Sequence, residues 1–111
     1  MEPVITDQAK QLDRYSFTTR KAVVMANNAY SSYMRARSTL IIRELVHAEV
    51  RISYALSEVH EAIKSLIKKP LIEEEFIELQ QTEQKLKKAL EWLGLIQDAF
   101  RKQEFSQPRA I

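Results

Sequence analysis

An all-α fold, an antiparallel three-helix bundle, is predicted from three observations. Proline and glycine are absent between Pro3 and Pro70. Within that run alanine recurs at seven-residue spacing in two ladders, Ala22, Ala29, Ala36 and Ala48, Ala55, Ala62. Pro70 follows Lys68 and Lys69 and precedes Glu73, Glu74 and Glu75, which reads as the end of one helix and the start of another. One glycine in 111 residues argues against a sheet-and-turn fold, and helix formers fill the chain instead. The apolar share of 45% and charged share of 29% are those of an ordinary globular domain.

The first helix is expected over about residues 5–36, with its seam on Tyr15, Ala22, Ala29 and Ala36. A small residue at every seventh position lets two helix axes approach closely. No strong breaker separates this segment from the next. One unbroken helix over residues 6–69 would run about 96 Å. A turn at Ser38–Thr39 is the alternative favoured by three features. Ser and Thr can cap a helix that starts at Leu40. Arg37 would fall on the alanine-bearing face if the first helix ran through it. The two ladders also pair across such a turn, Ala29 beside Ala48 and Ala22 beside Ala55.

The second helix is expected over about residues 40–69. Its apolar series is Ile41, Leu45, Ala48, Ile52, Ala55, Val59, Ala62 and Leu66, at alternating spacings of four and three. Ile42, Leu56, Ile63 and Ile67 widen the stripe beyond what one partner helix needs, so this helix should pack against both neighbours. Glu49 falls inside the widened stripe and must find a partner or water. The third helix is expected over about residues 71–105, with Leu79, Thr82, Leu86, Ala89, Leu93, Ile96 and Phe100 inward and residues 106–111 as a tail. Gly94, inside this helix, reads as a point of close backbone approach or a kink.

Three such helices make a narrow rod with uncovered apolar edges. Phe17 and Val24 on the first helix, and Ile77, Trp92 and Leu95 on the third, lie off the main seams. They are the expected interface for a second copy or another protein partner, with the bundle completed by self-association.

Charge is uneven. The net charge of +2 combines a basic first part, residues 1–69, with an acidic remainder. Lys10, Arg14, Lys21 and Arg35 project as one stripe on the first helix, continued by Asn28 and Ser32, opposite the alanine seam. Cations spaced along a helix, with amide and hydroxyl groups between them, are the residue types that track phosphates or an acidic protein surface. Nucleic acid is therefore the alternative partner. The pI of 8.9 and the acidic third helix point away from it.

Signals for chemistry are sparse. Glu44-Leu-Val-His47 has the Glu-x-x-His spacing of di-iron bundles, but such a centre needs a second copy of the motif and further inward glutamates, which the chain lacks. Glu75-Phe-Ile-Glu78 resembles the first half of the paired-acid magnesium motif of helical nucleotide pyrophosphatases of the MazG type. The second half fails, because Gly94 stands where an acid should follow Glu91. There is no cysteine, no glycine-rich phosphate loop and no nucleophile triad spacing. The expectation is a non-catalytic adaptor or complex subunit without cofactor, metal, small-molecule substrate or membrane partner, residing in the cytoplasm.

Overall fold

The computed structural model describes residues 15–68 and 73–106, with side chains as far as 103. These residues form three α-helices: α1 (Phe17–Thr39), α2 (Ile42–Ile67) and α3 (Glu73–Ser106). The helices run up, down and up. α2 meets α3 head to tail, with Glu49 beside Gln97 and His60 beside Glu83. α1 lies parallel to α3, with Ser16 beside Glu75 and Tyr33 beside Trp92. The all-α three-helix bundle is as predicted.

All six ladder alanines are buried, none more than 3% exposed. Leu45, Ile52, Val59 and Leu66 of α2 and Leu79, Leu86, Ala89 and Leu93 of α3 complete the core with Val23, Ala26 and Tyr33 of α1. α2 buries the full predicted series from Leu45 onward, because it is the helix with a neighbour on two sides.

The turn differs from the prediction. α1 continues through Ser38 and Thr39, and the chain reverses at Leu40–Ile41. Leu40 adopts a left-handed conformation, φ 56° and ψ 30°, and its N–H donates to the Ala36 carbonyl at 2.8 Å, closing the C-terminus of α1. Ile41 occupies the N-cap position of α2 with no side-chain cap bond; the Thr39 hydroxyl instead donates to the Glu44 carboxylate in the first turn of α2. Arg37 tolerates its place in the helix because its long side chain leaves the core edge and lays its guanidinium 5.6 Å from the centre of the Trp92 ring. Across the hairpin Ala29 shares a surface cleft with Val50, Arg51 and Tyr54, and Ala29 and Ala48 both lie in the core.

The start of α1 is also later than predicted. Ser16, with φ −62° and ψ 157°, is its N-cap, and Tyr15 precedes the helix. The Ser16 hydroxyl has one proton, which it donates to Glu75 Oε1 at 2.9 Å. It accepts from the Thr19 N–H at 3.3 Å and meets the Thr19 hydroxyl at 3.0 Å. The Ser16 N–H donates to the same Glu75 oxygen at 3.0 Å. Glu75, only 2% exposed, thus spends its carboxylate on the N-terminus of α1, where the helix dipole favours negative charge. Residues 5–14, the region of Pro70 and residues 107–111 lie outside the described residues.

Candidate interaction face

α3 covers one side of the α1–α2 hairpin. On α1 that side carries Tyr30, Tyr33 and Arg37: Lys85 Nζ sits 3.9 Å from the Tyr30 ring centre, and Tyr33 meets Trp92 edge-on at 5.8 Å. On α2 it carries Glu49, which accepts from Gln97 Nε2 at 3.1 Å, and His60, whose Nε2 lies 2.8 Å from Glu83. Glu49, the acid inside the apolar stripe, therefore finds its partner on α3.

The opposite side of the hairpin is open. From α1 it presents Lys21, Met25, Asn28, Ser32 and Arg35, and from α2 Glu44, His47, Arg51, Tyr54 and Glu58. Both series alternate spacings of three and four, so each holds one edge of its helix. Two depressions lie along this side. One is bordered by Ser32, Arg35, Glu44, His47 and Arg51, the other by Met25, Asn28, Ala29, Val50, Arg51 and Tyr54. Arg51 borders both, and its guanidinium donates to Ser32 Oγ at 2.9 Å across the seam. At the far end Lys21 lies 3.9 Å from Glu58.

Of the predicted basic stripe, Lys21, Asn28 and Arg35 share this open side and are exposed, while Lys10 and Arg14 lie outside the described residues. The predicted apolar interface does not form one patch. Phe17 and Val24 are exposed on α1. Ile77 and Leu95 are exposed on the outer face of α3 but stand about 27 Å apart along it. Gln84 and Lys88, both exposed, lie between them on that face. Trp92 is not off the seams: it is half-buried between α1 and α3 against Tyr33.

The contribution of α2 to the open side was not anticipated. Its signal is the series Glu44, His47, Arg51, Tyr54, Glu58, which follows the same spacing as the core series Leu45, Ala48, Ile52, Ala55, Val59, offset by one residue. Among the described residues no three His, Cys, Asp or Glu side chains converge as metal ligands, and no helix is long and apolar enough to cross a membrane. Glu75 of the half-motif is occupied in capping α1. Comparison with family models, with curated proteins and with solved structures returns no match.

Proposed function

We propose that this chain is a non-catalytic interaction module that binds a protein partner along the open side of its α1–α2 hairpin. The observation that carries the reading is the composition of that side. Met25, Val50 and Tyr54 supply apolar and aromatic contact area, interleaved with the cations Lys21, Arg35 and Arg51 and the hydrogen-bonding groups Asn28 and Ser32. Such a mixture suits a helix or extended segment with an apolar edge and scattered acids. A phosphate backbone is the second reading, supported by the same three cations. Glu44 beside Arg35 and Glu58 beside Lys21 oppose it, because a polyanion would meet a carboxylate at each end of the strip.

A photo-crosslinking residue in place of Asn28 tests the reading in cells that express the chain, with Gln84 on the outer face of α3 as the control position. The expected result is a discrete protein adduct at position 28, absent at 84 and lost when Arg35 and Arg51 are both changed to Glu. An adduct removed by nuclease would move the assignment to nucleic acid. No adduct at position 28 would overturn both.

A further inference from the structure

The outer face of α2, whose edge toward α1 holds Val50 and Tyr54, carries more exposed apolar surface than a solvated helix face requires. Val46, Val50 and Tyr54 follow one another at four-residue spacing and are 43%, 54% and 67% exposed. Ser53 and Ser57, both exposed, lie beside them and leave room for a second helix to approach. Projected at 100° per residue, Arg43, Val46, Val50, Ser53, Tyr54, Ser57 and Glu61 occupy little more than a quarter of the helix circumference. Arg43 closes this strip at the turn end and Glu61 closes it at the other, and both are exposed.

That pattern is self-complementary. Laid antiparallel on a copy of itself, with Arg43 level with Glu61 of the second copy, the strip brings Val50 level with Tyr54 of the second copy, and the two-fold axis repeats both matches. One register therefore satisfies the charges at the two ends and the aliphatic–aromatic contact in the middle. This is the condition for an isologous interface. A parallel arrangement would instead bring arginine to arginine and glutamate to glutamate. Among the described residues Glu61 makes an exposed contact with Lys64 at 3.8 Å, which a better partner can replace.

We infer that the outer face of α2 docks a second copy of this chain, antiparallel, with Val50 and Tyr54 at the two-fold axis and Arg43 facing Glu61 of the second copy. The inference rests on the interaction-module reading: the docking face shares Val50 and Tyr54 with the open side of the hairpin and takes a second copy as its partner. The strip is about 27 Å long and one helix wide, so the dimer belongs to the small, readily reversible class of interfaces.

Sedimentation of the full purified chain across a concentration series is the test, with circular dichroism to verify that each variant is folded. The expected result is a monomer of 13.0 kDa giving way to a dimer as concentration rises to about 100 μM. Val50→Asp, at a position already exposed in the single chain, should hold the protein monomeric with its helix content unchanged. R43E alone and E61R alone should each weaken the dimer about tenfold, and the double exchange should restore it, because the pair re-forms with reversed sign. The chain has no cysteine, so a single Ser53→Cys substitution near the axis should give a disulfide-linked dimer on oxidation, and Glu91→Cys on α3 should not. A monomer at all concentrations overturns the inference, as does a dimer indifferent to Val50→Asp and to the charge exchange. If the adduct at position 28 persists in either case, the module reading stands without this partner; if the adduct is also absent, both fail.

Discussion

Leu40 holds a left-handed backbone that a glycine would adopt without strain. Its position is set by the need to satisfy the Ala36 carbonyl while reversing the chain within two residues. Leu40 is half-exposed, as are Ile41 and Ile42 beside it, so little packing compensates for that strain. Leu40→Gly should therefore raise stability by about 0.5–1 kcal/mol, read from the urea midpoint. A lower midpoint would mean that the leucine side chain matters more to the native state than its backbone strain. Gly94 is the converse case. An added Cβ there meets nothing within 4 Å, and its φ is not positive. It serves no close backbone approach, one of the two roles that its place in the sequence suggests. Gly94→Ala should gain about 1 kcal/mol from helix propensity, and an unchanged or lowered melting temperature would contradict this.

At the level of elements, the helices were legible because their inward residues repeat strictly. The series of α2 from Leu45 to Leu66 is buried at every position. The ends were not legible, and the reason is chemical. Ser38 and Thr39 are good caps in isolation, but a tight reversal is closed by backbone groups, and Leu40 supplies that closure against its own preference. Arg37 looked incompatible with a core-facing position because a helical wheel treats a side chain as a point. The arginine stem spans several ångströms and reaches a Trp92 ring that no local pattern could place. The start of α1 was missed for a similar reason, since half of its cap comes from Glu75, 59 residues away. The candidate face was half legible. Lys21, Asn28 and Arg35 projected correctly, but their neighbours Arg51 and Tyr54 joined them only once the turn fixed which edge of α2 lies alongside.

Taken whole, the molecule mixes cations and acids on both sides of its hairpin. Lys21, Arg35 and Arg51 lie with Glu44 and Glu58 on the open side of the hairpin, whereas Arg37 turns to Trp92 on the covered side, where Glu49 meets Gln97 and Glu83 meets His60. The contact between Ser16 and Glu75 has a consequence in time as well as space. The α1–α2 hairpin needs only a two-residue connection, so its contacts form early, whereas the cap of α1 is incomplete until the first turn of α3 docks. The cap is therefore expected to form late in folding. Glu75→Ala, which leaves the Ser16 N–H without its carboxylate, should raise the unfolding rate about tenfold and leave the folding rate nearly unchanged in stopped-flow chevrons. A slowed folding limb would put α3 docking at the start of folding. An unchanged folding limb would tie the lifetime of the folded chain to how often the first turn of its last helix lets go.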